Sequence, residues 1–307
     1  VERQARLGGS LVLASTVHRD NQRFLDWLRA EIARLPIELR TGVEADVQLL
    51  RKENPDAVIV ATGARIANPQ IDGLASTRVL TGALVRQLLY GRLERAEAWR
   101  LPAWQARLAG AVLPRLERWL SPRVLRSVSR AWMPLGRRVV IVGGDIAAVE
   151  LAEFLARRRR LVYLVDGGNK LIPEVGKKRR HEHMDRLDSL RVTVNTGVEV
   201  QRIEEGCVVI RTLSGERRIE GDTILVAGNP VADTTLADEF RAAGFAVHTI
   251  GDCTGLGLIA GATADAAQAV AAISAAGLPL RFRCYMSSSC PLPPGPFLRI
   301  SICSGTQ

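Results

Sequence analysis

Apolar residues recur along this chain with two periods, and the alternation between them predicts its elements. From Asp20 to Leu35, Phe24, Leu25, Leu28 and Ile32 return at helical spacing and stop before Pro36. An extended segment begins over Ile37 to Thr41. Asp56-Ala57-Val58-Ile59-Val60-Ala61-Thr62-Gly63-Ala64 is then a continuous apolar run emerging into small residues, the pattern of a strand buried on both faces that ends in a tight turn. Arg137 to Val142 repeats the pattern and opens into Gly143-Gly144; helical Ala147 to Arg157 follows, then a second strand from Leu161 to Val165 ending on Asp166. That sequence of elements is a complete βαβ unit. Short alternating segments over 198–203, 208–213 and 217–219 predict a β-meander, which feeds a strand from Thr223 to Ala227 and a turn at Gly228.

Two regions depart from this α/β rhythm. Residues 83–135 hold four of the five tryptophans, with Leu101, Trp104, Leu108, Val112, Leu116 and Leu120 on one helical stripe, and are expected to form an inserted helical hairpin. Beyond Pro279, three serines at 287–289 and four prolines within 291–296 carry neither period, and residues 281–307 are expected to be an irregular tail.

Composition narrows the class. With 307 residues, 47% hydrophobic and 24% charged, the chain has the balance of a soluble globular protein of one or two cores. It shows no run of about 18 uninterrupted apolar residues and no basic-then-apolar start, so no membrane span or secretion signal is expected and a cytoplasmic setting follows by default. The net charge of +10 comes largely from the insert, where Arg86, Arg92, Arg95, Arg100, Arg107, Arg115, Arg118, Arg123, Arg126 and Arg130 face only Glu94, Glu97 and Glu117. No nucleic-acid motif accompanies them, so no nucleic-acid partner is expected. The insert reads as a helical cover with solvated arginines, docking of an anionic partner being the alternative. The five cysteines lack C-x-x-C pairing and metal-ligand spacing, so neither a dithiol centre nor a metal site is expected, and Cys253 reads as packing.

The strongest constellation joins Ala61-Thr62-Gly63 to Thr249-Ile250-Gly251-Asp252-Cys253-Thr254. A buried strand ending in A-T-G offers a tight turn to an adenine dinucleotide, and a G-D turn before a helix aims a carboxylate at a polyol while the helix start faces phosphate. Asp252 is thereby expected to receive the ribityl hydroxyls of FAD. At the start of the chain, Glu2 followed by Arg6-Leu7-Gly8-Gly9 reads as the acidic end of a second Rossmann strand, a ribose ligand whose first strand and glycine loop are missing.

Gly143-Gly144-Asp145-Ile146-Ala147-Ala148 occupies the register of G-x-G-x-x-G/A, with Ala148 in an accepted third position. Asp145 is the departure, because it puts a Cβ and a like charge where backbone approaches pyrophosphate. At ~4 Å and an effective dielectric of about 20, the repulsion would approach ~4 kcal/mol. Either the pyrophosphate sits displaced or nucleotide binding is weak. Asp166, 23 residues after Gly143, stands where a carboxylate holds the adenosine ribose and repels a 2′-phosphate, which favours NADH over NADPH. Lys170 and Lys177-Lys178-Arg179-Arg180 would instead greet a phosphate, although a basic helix start containing His181 and His183 reads first as a solvated face. Ala227-Gly228 is the companion turn of the same domain.

These residues, together with Gly251 to Ala262 and Glu150-Leu151-Ala152-Glu153-Phe154, resemble the FAD and NAD(P) portion of two-dinucleotide-binding flavoproteins. The likeness is to the C-terminal part of the Old Yellow Enzyme-like 2,4-dienoyl-CoA reductases and trimethylamine dehydrogenase, and covers roughly residues 1–278. The resemblance implies an α/β flavoprotein: an incomplete Rossmann-like FAD domain over 1–82 and 249–280, and an inserted Rossmann-like NAD(P) domain with its β-meander over 136–248. It further implies FAD and NADH or NADPH as cofactors, with hydride passing from nicotinamide to flavin. The cofactors carry that chemistry, so no side chain is expected to act as catalytic acid or base. Glu150 matches a glutamate near the nicotinamide in related reductases. FMN, a 4Fe-4S cluster and enoyl-thioester reduction belong to a barrel module that is not on this chain, reached through that missing part or a second subunit.

An N-terminally truncated chain is therefore expected, and with it a bare edge on the strand before the A-T-G turn. The leading expectation is part of an NAD(P)H:flavin oxidoreductase. The alternative is a noncatalytic remnant or partner-binding module.

Overall fold

A computed structural model describes residues 1–75, 79–82, 121–131, 133, 135–275 and 300–303. In chain order the elements are α1 (Gly9–Val17), α2 (Asp20–Arg34), α3 (Val47–Glu53), β1 (Ala57–Val60), β2 (Arg65–Ala67), β3 (Val79–Thr81), α4 (Pro122–Ala131), β4 (Arg138–Val142), α5 (Ile146–Ala156), β5 (Leu161–Val165) and α6 (Lys177–Ser189). They continue with β6 (Thr193–Asn195), β7 (Glu199–Glu204), β8 (Cys207–Thr212), β9 (Gly215–Glu220), β10 (Thr223–Val226), β11 (Asn229–Val231), α7 (Thr235–Ala242), β12 (Val247–Thr249), α8 (Leu258–Ala275) and β13 (Ile300–Cys303). Contacts divide the chain into two units: residues 1–9, 37–65 and 230–307 form the first, 10–36 and 66–229 the second.

The second unit is built on a five-stranded parallel sheet of order β3-β10-β4-β5-β6. Its central strands read Arg-Val-Val-Ile-Val and Thr-Ile-Leu-Val because both faces are covered and every position except an end must be apolar. Val139 and Ile141 pack with Ala148, Val149, Ala152 and Leu155 of α5. Val140 and Val142 pack on the other face with Val208, Ile210 and Ile219 of the antiparallel meander β7-β8-β9. The predicted βαβ unit and meander are both present.

In the first unit, β1 alternates between two cores. Val58 and Val60 meet Leu50, Ala237 and the fully buried Phe240, while Ala57 and Ile59 meet Ile273 of α8. Parallel β12 pairs with one edge of β1 in the register Val58↔Val247 to Val60↔Thr249. The other edge, expected to be bare, pairs in parallel with β13, Ala57↔Ile300 to Val60↔Cys303. Residues 300–303 of the region expected to be irregular are thus a strand, since an interior edge leaves N–H and C=O groups that any extended segment within reach can satisfy.

These units depart from the boundaries read from the sequence. Residues 10–36 belong with the second unit, where Val17 packs on its core and the Arg126 guanidinium binds the Ser15 carbonyl and the Gln22 side chain. Residues 230–248 belong with the first, through Ala237 and Phe240. Arg126 is correspondingly half-buried rather than solvated, and Arg158 stacks 3.3 Å over the Phe154 ring while bonding Ser129. The Leu101–Leu120 stripe and residues 83–120 lie outside the described residues.

Helix α8 has 18 residues, a mean hydropathy of 1.4, and among the described residues is the one helix long and apolar enough to cross a membrane. It carries Asp265, which accepts from the Gly251 amide at 2.9 Å, and Ile273, which packs under β1.

Truncating Phe240 to alanine leaves a cavity beneath β1 and costs about 3–5 kcal/mol. Native-state hydrogen exchange is expected to show lost protection at the Val58 amide, which donates to Ala246 O at 2.8 Å, with much smaller change in β4 of the other unit. Equal loss in both would contradict separate cores.

Candidate functional site

The first unit brings the two distant turns together. Ile250 N donates to Val60 O at 3.0 Å, and the Cys253 thiol donates to the same carbonyl at 3.5 Å. The Thr62 backbone bonds to that sulfur as well, and burial pushes the thiol's pKa up. Cys253 is fully buried, which suits the packing role read from the sequence. Ala61, Thr62 and Gly63 leave the end of β1; Gly63 has φ +78°, and a Cβ there would meet nothing within 4 Å, so the turn needs glycine for its backbone and stands open above.

Gly251 opens a 3₁₀ turn over Gly251–Cys253 and is itself buried. Asp252, expected to face a polyol, uses Oδ1 to accept from Gly257 N at 3.0 Å, bracing the loop before α8. Glu2 is 4% exposed, pairs in parallel with Thr41, and accepts from Gln4 N through Oε1 at 2.7 Å. Glu2 lies in an isolated bridge rather than in a strand, and its carboxylate accepts from its own loop. Gly8 and Gly9 follow, Gly9 being the first residue of α1.

In the second unit the Gly143-Gly144-Asp145 turn joins β4 to α5. Gly143 N donates to Val165 O at 2.8 Å, and a Cβ on Gly143 would lie 2.8 Å from Cβ of Ala227, so this crossing has room for glycine alone. Gly144 is closed in by Asp166 and Leu171, and its carbonyl accepts from Ile172 N at 2.7 Å. Gly228 abuts Ile66 and Ala67.

Asp145 is the N-cap of α5, its Oδ1 accepting from Ala148 N at 2.8 Å. That role was legible in the sequence, since aspartate three residues before a helical amide is a preferred cap worth ~1 kcal/mol. Glu174 was not: its Oε1 accepts from Ile146 N at 2.6 Å from a loop 28 residues away. Asp166 stands beside them, with Oδ2 accepting from Gly168 N at 2.9 Å. Three carboxylates therefore ring the positive end of α5. Desolvation first, then repulsion from Glu174 and Asp166, raises the Asp145 pKa; desolvation and Glu174 raise that of Asp166.

Glu150, on the same helix, is 7% exposed and 3.6 Å from the Arg179 guanidinium. Burial outweighs that partner and carries its pKa up to about 7. Behind it, Glu153 meets His183 Nδ1 at 2.6 Å. The basic helix start read as a solvated face is therefore two-sided: His181 is exposed, and His183 is 1% exposed because the turn of α6 points it at α5.

The sequence profile of the family described as pyridine nucleotide-disulphide oxidoreductase matches residues 37–255. Among individual proteins, the chain is 26% identical over 254 residues to bilirubin reductase of Mediterraneibacter gnavus (strain CC55_001C), covering 82% of this chain and 33% of that protein. It is 25% identical over 271 residues to NADH oxidase of Thermoanaerobacter brockii, covering 87% and 36%. Among solved structures, 2-naphthoyl-CoA reductase in complex with 2-naphthoyl-CoA superposes with a TM-score of 0.67 at 24% identity, covering 86% of this chain and 34% of that one, which shows the shared fold. The chain spans about a third of the length of each of these relatives.

The matched family binds FAD and NAD(P)H. Against those groups the two units behave differently. The turn at Gly63, beside Gly251–Cys253, is open where a Cβ would stand. The α5 end has the polarity for pyrophosphate, but the Ile146 and Ala148 amides already hold carboxylates, so a second anion fits only once Glu174 swings away.

A carboxyl whose folded pKa is raised binds its proton more tightly in the native state, so its contribution is complete at low pH and is lost as pH climbs from the ordinary glutamate range to about 7. Glu150→Gln is expected to remove that fall, gaining roughly 3 kcal/mol on wild type between pH 5 and 8. Urea unfolding at the two pH values checks it; parallel pH dependences in both proteins would show that Glu150 is not held in this way.

Proposed function

The chain belongs to the pyridine nucleotide-disulphide oxidoreductase family, and from that premise we propose that it is the dinucleotide-binding module of a flavoprotein reductase that passes a hydride from NAD(P)H to FAD. The reading rests on one observation: the Ala61–Gly63 and Gly251–Cys253 turns, almost two hundred residues apart in sequence, leave neighbouring parallel strands at the same end of the first unit. Ligands of open α/β sheets bind at the carboxyl ends of their strands. Glu2, Gly8, Gly9, Ala61, Thr62, Gly63, Gly251 and Asp252 are the proposed FAD residues.

The proposed nicotinamide dinucleotide residues are Gly143, Gly144, Asp145, Ala148, Glu150, Asp166, Ala227 and Gly228. Asp166 at the end of β5 favours a free ribose 2′-hydroxyl and hence NADH. Electrons are proposed to go on to an Old Yellow Enzyme-like FMN and iron-sulfur module that reduces an enoyl- or dienoyl-CoA, on the same polypeptide or a partner. A binding module without turnover is the second reading, favoured by the carboxylates that fill the α5 end.

Purified protein is expected to be yellow, or to become so on adding FAD, and to bleach with NADH in the absence of oxygen. Asp145→Gly combined with Glu174→Ala frees two helix amides and removes two negative charges, and is expected to tighten NADH binding at least tenfold in fluorescence titrations. Colourless protein that takes up no FAD, with no NADH binding in the double variant, would replace the reductase with the binding module.

A further inference from the structure

The start of α6 is the electrostatic inverse of the start of α5. Its first residues are Lys177, Lys178, Arg179 and Arg180, with no acidic residue in the first turn, and Gly176 supplies no capping side chain. Cations at the positive end of a helix are unfavourable, so this arrangement is poor unless an anion joins it. Arg180 is accounted for, since its guanidinium bonds the carbonyls of Ile172, Pro173 and Val175 at 2.9–3.3 Å. Lys177 and Lys178 have no hydrogen bond or ion pair to a described residue, and both line a cleft of about 770 Å³.

A second observation comes from the histidines. The His183 ring, 1% exposed, also lines this cleft, and while Nδ1 is held by Glu153 its Nε2 is buried with no partner. A buried polar atom left unpaired is destabilising, because it has given up water without gaining a partner. His18, from the α1–α2 junction on the opposite wall, likewise has an unpartnered Nδ1. The Glu153 contact fixes the orientation of the His183 ring and leaves Nε2 as the nitrogen available to a ligand. Asp20 and Glu182 line the cleft too, against Lys177, Lys178, Arg179 and Arg186, so its charge remains positive.

We propose that this cleft binds a phosphate-bearing small molecule, with the phosphate on the first-turn amides of α6 and on Lys177 and Lys178, and with His183 Nε2 and His18 Nδ1 contacting the same ligand. The volume exceeds that of phosphate alone and leaves room for an organic portion. The site lies wholly within the second unit and is independent of the reductase reading.

The chain has four histidines, so ¹⁵N-histidine labelling resolves the ligand's position residue by residue. Titrating the full chain with inorganic phosphate at constant ionic strength is expected to shift the His183 and His18 ring signals saturably and leave His248 unmoved. Lys177→Glu with Lys178→Glu, both at exposed positions, is expected to weaken that response at least tenfold with a melting temperature no lower than that of the wild type. Phosphate binding that leaves His183 unmoved, or that survives charge reversal, would reduce the site to adventitious ion binding and overturn the proposal.

Discussion

A parallel strand buried on both faces can expose polar chemistry only at its ends, and this constraint organises both units. Val58 and Val60 face one core while Ala57 and Ile59 face another, so β1 has no lateral surface free for a ligand. The same holds for β4, covered by α5 on one side and the meander on the other. The backbone groups that the sheets leave open lie where the strands stop, at Ala61–Gly63 and Gly251–Cys253 in one unit and at Gly143–Asp145 in the other.

At those ends the decisive terms are helix termini. Two helices of the second unit present their positive ends, and the chain treats them oppositely. The α5 end is filled from within by Asp145 and Glu174, so a dinucleotide must displace a carboxylate that already satisfies the amide it needs. The α6 end is left uncapped, surrounded by lysines, and floored by a histidine with an idle nitrogen. Burial of Glu150 and Glu153 between the two helices links them, because Arg179 and Arg186 reach back from α6 to those acids.

Much of the site was legible because it is local. Asp145 could be read as a departure from the glycine pattern, and its cap to Ala148 follows from a three-residue spacing. Glu174 could not be read, because its bond to Ile146 depends on how a loop after β5 folds over the turn. His183 was misjudged for a similar reason: four preceding basic residues mark an exposed face, but at a helical period of 3.6 the ring falls on the opposite side, against Glu153.

By itself the sequence determined which segments are buried strands, where the small-residue turns fall, and the βαβ unit and its meander. Those follow from periodicity and from the few residues that tolerate a tight turn. Tertiary structure alone decided that residues 300–303 pair with β1, that residues 10–36 belong with the second unit, and which carboxylate meets which amide. These are contacts between residues far apart in the chain, selected by which unpaired edge or helix end lies within reach after folding, and no local pattern encodes that reach.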